Sequence, residues 1–193
     1  TIAAAATELG RRNIAHSEAG GSDGAPRFLY LSGTSSGKQA VSIWEIQDKE
    51  DRANLRFLGP PLEETGGGAL GVKRIEEVWI GCAGDADEAR WASLLRPARP
   101  VDGLWHIGNG PALRLVPSDE ARIEAVVLQV ESLERARAVL IRNDMMGTSG
   151  PESIELNPAK SQGLRVILKG ATHLAPNRKG RQRDGTFGPA FTV

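Results

Sequence analysis

The sequence predicts an α+β protein built from a tandem unit of one strand, one helix and a short antiparallel run, and three observations carry that prediction. A run of strand character recurs 48 residues further on, 74–80 (Arg-Ile-Glu-Glu-Val-Trp-Ile) returning as 122–128 (Arg-Ile-Glu-Ala-Val-Val-Leu). The same succession of elements follows each copy. The N-terminal third fits the same template with its first strand absent.

In chain order, the opening stretch Ile-Ala-Ala-Ala-Ala-Thr-Glu-Leu-Gly (2–10) reads as a helix already under way and stopped by Gly10. Strand candidates follow at 13–16, 28–31 and 41–46. Pro60, Pro61 and the Gly66, Gly67, Gly68 triplet mark a linker before the first full unit. After the first copy, 85–95 has acidic residues early and apolar ones at helical spacing, ending at Arg96-Pro97. After the second copy, 132–141 does the same, with Ser132 as N-cap and Arg142 near its end. Two short strands follow each helix, 103–107 and 112–116 in one unit, 153–156 and 164–168 in the other. The chain thus divides into a partial unit (1–50), a linker (51–71), a second unit (72–119), a third (120–170) and an extended arm (171–193).

Composition narrows the function classes. At 193 residues, 40% hydrophobic and 25% charged, the chain is long enough for a substantial core and ordinary for a folded protein. Twenty-four basic residues balance twenty-four acidic ones, so no global field points to nucleic acid or an anionic membrane. One cysteine, Cys82, excludes an intrachain disulfide, and no Cys/His cluster has zinc-site spacing. With no span of about 20 apolar residues and no signal-peptide order, the sequence reads as cytoplasmic.

The repeated unit, read as βαβββ, resembles the vicinal oxygen chelate superfamily, the glyoxalase and bleomycin-resistance-like proteins. The resemblance is clearest in 123–136, a first strand running into a helix, and covers about residues 1–170. It implies curved mixed sheets that form a cup, and a divalent metal held by ligands on first and last strands. Carried over, the first-strand places fall on Glu77 and Ala125, and the last-strand places on Glu45, Arg114 and Ile167. Only Glu45 and Glu77 have metal-binding atoms, whereas Arg114 repels a cation. A surviving site needs a cup formed by the partial and second units, with a third ligand such as His16 or His106. The substituted positions favour no metal.

Alternation along strands selects the side chains that face the cup. If Val78 and Ile80 pack under helices, Glu77 and Trp79 face the other way. By the same rule Arg114 joins them, with Glu45 and His106 when their neighbours are buried. The expected site has Glu45 and Glu77 as metal ligands or general base, and Arg114, His106 and Trp79 as ligand-binding groups. An open, self-paired polar sheet face is the plainer alternative. Three functions follow: a glyoxalase- or dioxygenase-type enzyme, a metal-free small-molecule binding or sequestration protein, or a structural protein. The unpaired unit predicts a homodimer.

Other motifs carry less. The 33–38 segment, Gly-Thr-Ser-Ser-Gly-Lys, is one residue short of a phosphate loop and reads as a hairpin turn. Met145 and Met146 read as core filling at a helix end, and Cys82 as an inert buried thiol. The basic arm reads as a tail, or as a subunit contact through Phe187 and Phe191.

Overall fold

The computed structural model describes residues 1–20, 26–31, 41–44, 65–108 and 110–171. Helix α1 (Ile2–Arg11) is capped by the Thr1 hydroxyl, which accepts from the Ala4 amide. It runs through Gly10 to Arg11. Asn13, with φ 56°, then turns the chain, so the first strand starts at His16 and not at Asn13. Strands β1 (His16–Gly20), β2 (Pro26–Leu31) and β3 (Val41–Trp44) form an antiparallel sheet. Leu29 and Leu31 on one face of that sheet meet Ile2, Leu9 and Ile14, which is the core of the first unit. Residues 21–25, 32–40, 45–64, 109 and 172–193 lie outside the described residues, and with them the proposed turn at 33–38, most of the linker and the C-terminal arm with Phe187 and Phe191.

The second unit comprises β4 (Val72–Cys82), α2 (Asp85–Leu95), β5 (Leu104–Trp105) and β6 (Ala112–Pro117). Residues 65–71 lead into β4 as turns, held by Arg135, whose guanidinium donates to the carbonyls of Gly68 (2.8 Å) and Ala69 (3.1 Å). Gly67 has φ +75°, and a Cβ there would lie 2.2 Å from the Val72 carbonyl oxygen. Gly67→Ala is therefore expected to destabilise by at least about 1–2 kcal/mol from the left-handed backbone alone. Chemical denaturation checks the loss, and faster hydrogen exchange at the Val72 amide, which donates to Gly67 O, checks its location.

The third unit is a complete βαβββ: β7 (Ile123–Val130), α3 (Leu133–Arg142), β8 (Met146–Ser149), β9 (Ser153–Leu156) and β10 (Arg165–Gly170). Ser132 caps α3 through its hydroxyl, as its side chain predicts. The strand β8 was not legible in the sequence. Met146 opens it instead of ending the helix, because Asp144 at φ 53° redirects the chain after Asn143.

These two units share one mixed seven-stranded sheet, ordered β5-β6-β4-β7-β10-β9-β8. The second unit pairs with the third, β4 lying between β6 and β7, and among the described residues the partial unit forms a separate three-stranded sheet. Helices cover one face. Val130, Leu133, Ala136, Leu140, Ile154 and Leu168 form one core under α3. Ile80, Cys82, Trp91, Leu95 and Trp105 form another under α2. The first unit joins that side through Leu94, which packs on its core, and through Arg12, which donates to the Arg96 carbonyl at 2.7 Å. Glu8 aligns Arg12, and the hydrogen bonds from Arg11 and Arg12 lower its carboxyl pKa to about 2. Among the described residues no helix is long and apolar enough to cross a membrane.

Candidate functional site

The sheet face away from the helices carries the chemistry. Because Val78, Ile80, Leu113 and Leu115 pack toward α2, alternation turns Glu77, Trp79 and Arg114 to the other side. On β10, Leu168 packs toward α3, so Arg165, Ile167 and Lys169 share that free face. Register brings the two sets together: Trp79 lies opposite Arg114 on β6 and Ala125 on β7, and Ala125 lies opposite Arg165.

Glu77 is the organising residue. Only 4% of it is exposed, yet both oxygens are bonded. Oε2 accepts from Trp79 Nε1 at 2.8 Å and from Arg114 Nε at 3.1 Å, and Oε1 accepts from Lys169 Nζ at 2.9 Å. Burial works to raise its pKa, but the donors Lys169, Trp79 and Arg114 together outweigh burial and hold the carboxyl below its ordinary value. Glu77 is thus an ionised anchor. A carboxylate so occupied is poorly suited to collect a proton as a general base.

Trp79 is fixed by that anchor and by its surroundings. The guanidinium carbons of Arg114 and Arg165 lie 5.7 and 5.4 Å from its ring centroid, within cation–π range. Ala125, Val127 and Ile167 are buried and form an apolar cluster against the indole. A methyl at position 125 leaves the ring room to lie across the sheet. Arg165 is also held by Glu155 through two hydrogen bonds, at 2.8 and 3.0 Å. Beside Trp79 a cavity of about 300 Å³ opens between β4, β8, β9 and β10, with Ile167, Ser153, Thr148 and Lys169 in its lining. That volume is at the lower end for small-molecule sites.

The expected site residues fare differently. Glu77, Trp79 and Arg114 come together. His106 does not: the strand ends at Trp105, His106 is exposed, and no hydrogen bond or ion pair joins it to the cluster. Glu45 lies outside the described residues. Lys169, Arg165 and Glu155 were missed. The alternation that selected Arg114 also selects Arg165, but a strand read as 164–168 stops one residue before Lys169, and nothing local shows that β10 lies beside β7. Cys82 is buried under α2, its thiol pushed up by burial and by the nearby Asp87 and Glu88. It belongs to the opposite side of the sheet.

The divalent metal implied by the family resemblance does not fit these residues. Its first-strand positions hold Glu77, already bonded to two cations and an indole, and Ala125, which has no donor atom. Of its last-strand positions in the shared sheet, Ile167 is apolar and Arg114 is itself a cation. Among the described residues no group of three or more His, Cys, Asp or Glu side chains is placed to hold a metal.

Across this sheet β4 and β7, the first strands of two successive units, pair antiparallel, and each is flanked in parallel by the last strand of its own unit, β6 or β10. The fold is glyoxalase-like. No protein-family model matches the sequence, and no curated protein does. Solved structures similar to the chain include a methylmalonyl-CoA epimerase from Mycobacterium tuberculosis, at 16% identity over 54% of this chain and 91% of that one, with a TM-score of 0.39. A methylmalonyl-CoA epimerase in complex with methylmalonyl-CoA and NH4+ is similar at 13% identity over 53% of this chain and 96% of that one, with a TM-score of 0.37. A hypothetical protein from Bacillus halodurans C-125 is similar at 16% identity over 54% and 98%, with a TM-score of 0.36. Each likeness extends over about half of this chain.

Proposed function

We propose that this glyoxalase-like chain binds a small molecule in the cavity beside Trp79, without a metal. One observation carries the reading: both oxygens of Glu77 are bound by Lys169, Arg114 and Trp79. The place where the resemblance puts a metal is filled by the protein's own cations. Among the described residues the cavity lining contains neither histidine nor cysteine, and Glu155, its carboxylate, is paired with Arg165. This favours binding or sequestration over catalysis, since a general acid or base needs a group free to exchange a proton.

The test uses the indole Nε1–H resonance of Trp79, assigned by its loss in Trp79→Phe, during a small-fragment titration of protein purified without chelator. Fragments are expected to shift that resonance with no metal added, metal analysis to show no stoichiometric divalent ion, and Mn²⁺, Fe²⁺, Ni²⁺ and Zn²⁺ to leave thermal stability unchanged. A stoichiometric metal lost in Glu77→Gln would overturn the reading, as would a fragment series that never perturbs Trp79.

A further inference from the structure

We infer that Lys169 is the anchor for an oxyanion of the ligand, a side-chain ammonium where the family resemblance places a divalent ion; the inference rests on the metal-free cavity proposed above. Charge is the first reason. Lys169 and Arg114 bring two positive charges to a single carboxylate, Glu77, while Arg165 is answered by its own partner, Glu155. Among the described residues, the cluster around Trp79 therefore holds one more positive charge than negative, and Lys169, one of its cations, lines the cavity.

Hydrogen-bond capacity is the second. An ammonium has three N–H donors, and Lys169 uses one, on Glu77 Oε1 at 2.9 Å. Its side chain is 39% exposed and lines the cavity. Ser153, its cross-strand partner on β9, and Thr148 on β8 line the same cavity, and neither hydroxyl bonds to the described residues. Spare N–H and O–H donors around one positive charge match a carboxylate or a phosphate monoester, whose oxygens only accept once fully ionised. Ile167 and the indole of Trp79 supply apolar lining for the rest of a small ligand. Glu77 is then a positioning residue, holding the ammonium on its spot.

The probes are benzoate, phenyl phosphate and the uncharged benzamide, followed at the Trp79 indole resonance in the full chain. At least one of the two anions is expected to bind at least tenfold more tightly than benzamide, and which of them binds better separates carboxylate from phosphate. Lys169→Met is expected to weaken the better anion by about 10- to 100-fold, the usual span for a charge-assisted hydrogen bond. Lys169→Arg should recover most of that affinity, and Ser153→Ala, which leaves the Glu77 cluster intact, should weaken it by about fivefold. Benzamide binding as tightly as both anions, or wild-type anion affinity in folded Lys169→Met, would overturn the oxyanion anchor while leaving the cavity reading in place. If none of the probes moves the indole resonance, the anchor falls, and the fragment titration decides the cavity reading separately.

Discussion

Glu77→Gln is expected to lower the unfolding free energy by about 1.5–3 kcal/mol, the range for hydrogen bonds to charged groups whose partner is lost in a buried setting. The substitution keeps the side-chain shape, and the amide oxygen can still accept from Trp79 Nε1. Its effect therefore isolates the charge. Lys169 and Arg114 lose their shared anion, though their side chains, 39% and 30% exposed, are partly resolvated by water. That exposure keeps the loss below the several kcal/mol of a fully buried pair. Denaturant unfolding measures the energy, and a shift of the Trp79 indole resonance shows that the ring has loosened. Unchanged stability together with an unmoved indole would mean that Glu77 does not organise this face.

The same residue makes stability pH-dependent with a defined sign. Its folded-state pKa lies below the ordinary 4.5, so the contribution is fully present above that value and is lost as pH falls through the lower one. Wild type is expected to lose stability below about pH 4 more steeply than Glu77→Gln, the two curves converging toward acid.

Leu140→Ala should cost more, about 2–5 kcal/mol. Leu140 is 1% exposed and sits on α3 against Ile154 and Leu168, the residues that fix β9 and β10 from behind. Truncation leaves a cavity that the sheet cannot collapse around without moving the strands that carry Ser153 and Lys169. Calorimetry is expected to show a lower Tm, while the ligand-induced shift at Trp79 persists at temperatures where the variant stays folded. Loss of that shift in the folded variant would show that the cavity needs more than intact strands.

Much of this site was legible along the chain because strand alternation is local. Val78 and Ile80 being apolar is enough to turn Glu77 and Trp79 to the other face, and Leu113 and Leu115 do the same for Arg114. The two helices were equally legible, since capping by Ser132 and the acidic first turn at Asp85 act within a few residues. The strand β8, Met-Gly-Thr-Ser, was not: it is exposed, short and poor in β-branched residues, and pairing with β9 alone makes it a strand.

The sequence by itself determined the repeated strand–helix–strand order, the helix boundaries to within a residue or two, and the face on which Glu77, Trp79 and Arg114 lie. The tertiary structure decided which units share a sheet and which charges meet. Lys169 reaches Glu77 across 92 residues of chain because β10 lies in parallel beside β7 and β7 pairs antiparallel with β4. Periodicity states which side of a strand a residue occupies. It carries no information about the neighbouring strand, since backbone hydrogen bonds between strands are much the same whatever side chains they join.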